Sequence, residues 1–127
     1  SSLVMQPVFA KAKHKAHKAS RVVFAEGEEE RVLQAVQTLV DEKMGLPILV
    51  GRPDVIQRRI HALGLRLTIH EDYQVVNPND DPRYHHYWTT YHSLTERRGV
   101  SPAVAKTLVR TNTTIIAALM VYLGDAD

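Results

Sequence analysis

The 127-residue sequence contains no cysteine, which excludes disulfides and thiolate metal sites. It has no charged leader followed by a short apolar core, and no apolar run approaching the ~20 residues that span a bilayer. Charge of one sign is also missing. The 16 Lys and Arg against 14 Asp and Glu leave a formal charge of +2, too small an excess to make nucleic acid the expected partner. Absent motifs narrow the chemistry further. Neither GxGxxG nor GxxxxGK[ST] occurs to cradle a phosphate, and neither GxSxG nor HExxH occurs to carry a nucleophile or a zinc ion. These absences lead to the expectation of a cytoplasmic protein with no membrane or nucleic-acid partner.

What is present suits one globular domain. The length is that of a single domain, and the 44% apolar fraction is enough for a core. Four of the six lysines lie in KAKHKAHK, residues 11 to 18, beside His14 and His17. A basic arm for anionic partners is one reading. A solvated helix face is the better one, because no aromatics interleave with the charges and Val4, Met5, Val8 and Phe9 supply a docking side upstream.

Periodicity predicts alternating strands and helices. A leading helix is expected from Pro7 to Lys18, then a strand from Arg21 to Ala25. The spacing of Val32, Leu33, Val36, Leu39 and Val40 predicts a helix over residues 28 to 43 with one buried face. PILV, residues 47 to 50, is short and continuously apolar, as in a central parallel strand covered on both faces. DVIQRRIHALG is a further helix ending at Gly64. LRLTI, residues 65 to 69, alternates as a short strand does, and YQVVNP, residues 73 to 78, reads as another parallel strand. Residues 81 to 127 then turn helical. Asp81 is the expected cap and Pro82 the first position of a helix ending at Gly99, lined by Tyr84, Tyr87, Trp88, Tyr91 and Leu94. Ser101 and Pro102 open the next helix. The last begins at Thr111 or Asn112 and ends at Gly124. Its residues 115 to 123 are apolar all round, so burial on most sides is expected. Strand-helix alternation implies a three-layer α/β/α fold with a mostly parallel sheet. Because residues 124 to 127 stand where such a protein turns into its next strand, the expectation is a chain that continues.

The turn AEGEEER poses the main chemical question. It has the strand-turn-helix form of an anion site but one glycine, and the side chains of Glu26, Glu28, Glu29 and Glu30 repel phosphate while complementing the helix dipole by ~0.3 to 1 kcal/mol each. Helix-start stabilisation is the plain reading, and orientation of a polar ligand or an arginine by Glu26 or Glu28 the functional one. His85 and His92 share a helix face with Trp88, but no third ligand accompanies them, so packing or surface roles are expected. Arginines offer better anion chemistry. Arg52 follows Gly51 at a strand end, Arg83 opens a helix, Arg97 and Arg98 close it, and Arg110 precedes TNTT.

FAEGEEERVLQAVQTLVDE, PILVGRPDVI, VNPNDDPRYHHYWTTYHSLTERRGVSP and RTNTTIIAALMVYLGDAD together resemble the phosphate acetyltransferase (phosphotransacetylase) family. Within it they are most similar to the phosphotransacetylase-like C-terminal domain of bacterial hybrid NADP-dependent malic enzymes. The resemblance covers Val4 to Asp127. It implies the first part of the first of two lobes of an isocitrate/isopropylmalate dehydrogenase-like domain, with the acyl-CoA site in the cleft and the second lobe outside this sequence. Catalytic members carry a substrate-binding arginine four residues before the glycine that ends the tyrosine-rich helix. Thr95 occupies that position here. An uncharged hydroxyl lacks the planar two-point grip of guanidinium, while Arg97 or Arg98 lies close enough to substitute.

The resemblance therefore implies a regulatory, acetyl-CoA-sensing and oligomerising segment of a malic enzyme, with no catalytic or metal residues of its own. The parent would decarboxylate malate to pyruvate with NADP and Mg or Mn, in an N-terminal domain outside this sequence. Acyl-CoA or phosphate recognition is expected at the strand ends, from Glu26, Gly27, Gly51, Arg52, Arg110, Asn112 and Thr113. A catalytic phosphate acetyltransferase and a stand-alone α/β binding module are the alternatives. Apolar surface left on residues 115 to 123 is expected to favour a homo-oligomer.

Overall fold

A computed structural model describes residues 20 to 127; the expected leading helix, with His14 and His17, lies outside the described residues. Three parallel strands, β1 (Arg21–Phe24), β2 (Leu46–Val50) and β3 (Gln74–Val76), lie side by side in that order. Helices α1 (Glu30–Asp41) and α2 (Pro53–Ala62) connect them, and α3 (Tyr84–Thr95), α4 (Pro102–Thr111) and α5 (Thr113–Tyr122) follow. The register aligns Phe24 with Leu49 and Leu49 with Val75, and one residue off it Val23 with Ile48 and Val50 with Val76. This two-residue alternation sorts the side chains into two cores. Leu49, Phe24 and Val75 pack with Leu33, Val36, Ile56 and Ile60 of α1 and α2. Ile48, Val50, Val76 and Val23 pack with Tyr87, Val109, Ile116, Leu119 and Met120 of the three later helices. The architecture is three-layered α/β/α, as the alternation of elements predicts.

Local chemistry sets most boundaries. Ser101 accepts the Val104 N–H at 3.2 Å and caps α4 behind Pro102. Asn112 accepts from the N–H groups of Thr114 and Ile115 at 3.0 and 3.3 Å and caps α5. Gln37, buried in α1, accepts the Arg66 N–H at 2.7 Å and donates to Asp41 at 2.9 Å, which ties the loop after α2 to α1.

Several expectations need correction. Residues 65 to 69 are no strand: side chains take the N–H groups of Arg66 and Thr68, and only Ile69 and Tyr73 form an isolated bridge. The tyrosine-rich helix starts at Tyr84 rather than after Asp81, because Asp81 turns onto Arg83, accepting its N–H at 2.8 Å and its guanidinium at 3.0 and 3.1 Å. Gly99 ends that helix as expected, after a last turn, Glu96–Arg98, that tightens to a 3-10 helix. The last helix is buried along Ile116, Leu119 and Met120, yet Val121 is 48% and Tyr122 64% exposed. Leu94 at 52% does not join the four aromatics of α3 in the core. Among the described residues no single helix is long and apolar enough to cross a membrane; α4 and α5 approach that length only as a pair bent by 100°.

Candidate functional site

The C-terminal edge of the parallel sheet gathers the loops that leave β1 and β2. Gly27 is buried there because the chain crosses β2 at close range: its N–H donates to the Val50 carbonyl at 3.1 Å, and a Cβ would stand 2.8 Å from both that oxygen and Leu49 Cβ. Gly51 repeats the arrangement one strand over. Its N–H donates to the Val76 carbonyl at 2.9 Å, and a Cβ would stand 2.9 Å from the Glu28 Cγ. Each glycine thus removes a side chain that would hold two loops apart.

Glu28 fills the space so created and grips Arg52. One carboxylate oxygen accepts the Arg52 backbone N–H at 2.8 Å and its Nε at 2.9 Å; the other accepts Nη2 at 2.8 Å. This fork-on-fork contact is the strong form of an ion pair. Hydrogen bonding from the Arg52 side chain, aided by its charge and that of Arg59, lowers the Glu28 carboxyl to about 2 and keeps it ionised. Arg59 also donates to the Glu28 backbone carbonyl. Of the two roles expected for the acids of this turn, Glu28 orients an arginine.

The start of α5 reaches the same edge. Thr113 Oγ1 donates to Glu26 Oε1 at 3.2 Å, next to Asn112 at its cap. Arg110, on the last turn of α4, lies with its guanidinium carbon 5.1 Å from the centre of the Tyr84 ring, a cation-π contact, and has no carboxylate partner among the described residues. The structure therefore joins Glu26 with Thr113 and Asn112, and Gly51 with Arg52, through the single turn around Gly27. Arg110, two residues before Asn112, is directed to Tyr84 and is not in contact with this group among the described residues. Thr95 is elsewhere: its hydroxyl donates to the Tyr91 carbonyl of its own helix at 2.8 Å, and it lines a groove of about 300 Å³ with Tyr91, Leu94, Ile115, Ala118, Leu119 and Tyr122.

Glu28 is one of the two acids of the turn expected to orient a polar ligand or an arginine, although nothing local names that partner, 24 residues away. Arg59 lies outside the expected set and had one signal, its place two helical turns after Arg52. The edge thus carries the Glu26 and Glu28 carboxylates, the Thr113 hydroxyl and the Arg52 guanidinium. Among the described residues no group of three or more His, Cys, Asp or Glu is placed to hold a metal, and His85 instead meets Trp88 edge-on at 5.4 Å.

Residues 3 to 127 match the model of the phosphate acetyl/butaryl transferase family. The chain belongs to that family. It is 52% identical over all 127 residues to the NAD-dependent malic enzyme of Rhizobium meliloti and 44% identical to the NADP-dependent malic enzyme of Haemophilus influenzae. In both cases it spans 16% of the relative's length. Its fold superimposes on the EutD phosphotransacetylase of Staphylococcus aureus with a TM-score of 0.78 at 24% identity, over 97% of this chain and 36% of that one. Family membership accounts for the parallel sheet and its helical layers; the site's role follows from its own residues.

Proposed function

We propose that this chain is a segment of the acetyl-CoA-sensing regulatory and oligomerisation domain of a hybrid malic enzyme. The whole polypeptide would decarboxylate malate oxidatively to pyruvate, with a nicotinamide dinucleotide (NADP in the reading of the sequence) and Mg or Mn held by a domain outside this sequence. In this chain the strand-end group would orient an acyl-CoA or phosphate oxyanion through Arg52 and Arg110, with Asn112, Thr113 and Glu26 fixing the neighbouring polar contacts. Two malic enzymes that match the chain from end to end support the assignment of the parent.

The observation that carries the regulatory half is Thr95. A family pattern that places a substrate arginine here is met by a hydroxyl that hydrogen-bonds its own helix and faces an apolar groove, where it holds no oxyanion. Sensing then needs binding without turnover. Acetyl-CoA is expected to change the malate decarboxylation rate of the full polypeptide, with no acetyl phosphate formed from acetyl-CoA and phosphate. Robust acetyl phosphate formation that Thr95→Arg does not improve would overturn the regulatory reading.

Catalytic acetyl transfer is the second reading. The match to the transferase family favours it, as do Arg97 and Arg98, exposed in the 3-10 turn with no carboxylate partner among the described residues. The same assay decides between the two.

A further inference from the structure

Arg52 differs from the other strand-end donors because its hydrogen bonds are already divided. Its backbone N–H, Nε and Nη2 all go to Glu28, and Nη1 has no partner among the described residues. The Arg52 side chain is nevertheless 59% exposed, against 24% for Glu28. An exposed arginine normally samples many rotamers, and a ligand that fixes it must offset that entropy. Here the protein has fixed it beforehand.

The carboxylate that does so is itself held from several directions. Its stem occupies the space over Gly51 that any Cβ would enter at 2.9 Å, and Arg59 anchors its backbone carbonyl. One carboxylate faces two guanidinium groups, so Glu28 leaves the local arginine charge only partly neutralised, while Glu26, Glu29 and Glu30 of the same turn and Asp54 beside Arg52 repel an anion that approaches anywhere but at the guanidinium edge.

We infer that Glu28 is a positioning residue for Arg52, holding the guanidinium so that its Nη1 edge alone meets the oxyanion of a ligand at the sheet edge. This rests on the strand-end reading above. Gly51 belongs to the device, since the lock needs the absence of a side chain there. Lysine at 52 could not reproduce it, because an ammonium has no fork to divide between a carboxylate and a ligand.

A double-mutant cycle on the full chain tests the inference, with acetyl-CoA affinity read by calorimetry and folding by urea titration. Glu28→Gln and Arg52→Gln should each weaken binding roughly tenfold, and the double variant should bind no more weakly than Arg52→Gln alone. Gly51→Ala, which leaves every charge in place, should reproduce the Glu28→Gln loss. Arg52→Lys should not restore affinity. In NMR spectra the Arg52 Nε–H should exchange slowly in the unaltered protein and fast in Glu28→Gln. If Glu28→Gln lowers the unfolding midpoint but leaves acetyl-CoA affinity unchanged, or if the losses simply add, Glu28 is structural and the inference falls while the strand-end reading stands. If the unaltered protein binds no acetyl-CoA, that reading falls and takes the inference with it.

Discussion

Residues 21 to 76 and residues 81 to 127 satisfy their polar groups by different means. In the first region long-range side-chain bonds close the loops: Glu28 to Arg52, Gln37 to the Arg66 N–H, and Asp41 to Arg66 at 3.2 Å. The cap positions of α1 and α2, Glu29 and Arg52, make no side-chain cap bond. In the second region the caps of α4 and α5 are local, from Ser101 and Asn112, and two tyrosines join its own helices and C-terminal segment, while Thr113 and Asp127 reach back to Glu26 and Arg21. Tyr84 donates to the Lys106 carbonyl at 2.6 Å and Tyr87 to the Asp125 carboxylate at 2.7 Å. The regions also differ in finish. Among the described residues the four large hydrophobic side chains most exposed, Leu94, Val104, Val121 and Tyr122, all belong to the second. Among the described residues the α3 to α5 layer thus leaves more large apolar side chains open than the α1 and α2 layer, which carries a groove of about 360 Å³ between α2 and the loop after it.

The largest expected effects probe the two cores that the sheet separates. Leu33→Ala on one face and Met120→Ala on the other each empty a fully buried position, and each should cost about 2 to 5 kcal/mol in urea unfolding. Because α5 has one open side, its neighbours can collapse more readily, so Met120→Ala should fall at the lower end. A larger loss at Met120 than at Leu33 would break the contrast between the two layers.

A smaller effect separates two tyrosines. Tyr73 and Tyr87 are both fully buried, but the Tyr87 hydroxyl bonds Asp125 whereas the Tyr73 hydroxyl has no hydrogen-bond partner among the described residues. Burial, together with the Asp125 bond, raises the Tyr87 pKa well above the ordinary tyrosine value and keeps the phenol a donor. Tyr87→Phe should therefore cost about 1 to 3 kcal/mol by removing the hydrogen bond to the Asp125 carboxylate, which keeps Arg83 Nη1 at 3.8 Å, and Tyr73→Phe should be neutral or slightly stabilising. Thermal midpoints of the two variants measured side by side check the difference.

The smallest effect concerns pH. Glu28 is held at about 2 in the folded protein, below the ordinary carboxyl value of 4.5, so it contributes stability at neutral pH that is lost as pH falls from about 4.5 towards 2. With Arg52 largely in solvent, the contribution is of order 1 kcal/mol after screening. Glu28→Gln should flatten this acid limb of the stability curve. An unchanged limb would mean that the pair adds no net stability.

The sequence carried most of the fold because the signals that shape it are local. Pro102 after Ser101, the apolar run of PILV and the glycines at 64, 99 and 124 each set an element end without reference to distant residues. The misreadings share a cause. At LRLTI and at Asp81 a side chain captured a backbone N–H, and an alternating or capping pattern cannot reveal that competition. The candidate site was legible in part for the same reason. Glycines at strand ends and the Asn112 cap follow from neighbours in sequence, but the Glu28 contact with Arg52 and the Thr113 contact with Glu26 depend on strand order, which brings residues 24 and 87 positions apart to one edge.

The proposed function requires that acetyl-CoA bind at the strand ends and not in the groove around Thr95. Titrating acetyl-CoA into isotope-labelled protein and following the backbone resonances tests it most directly. The account predicts saturable shifts at Gly27, Gly51, Arg52, Asn112 and Thr113, with Leu94, Thr95 and Tyr122 unmoved. Shifts confined to the groove around Thr95 and Tyr122, or none at the strand ends, would contradict it.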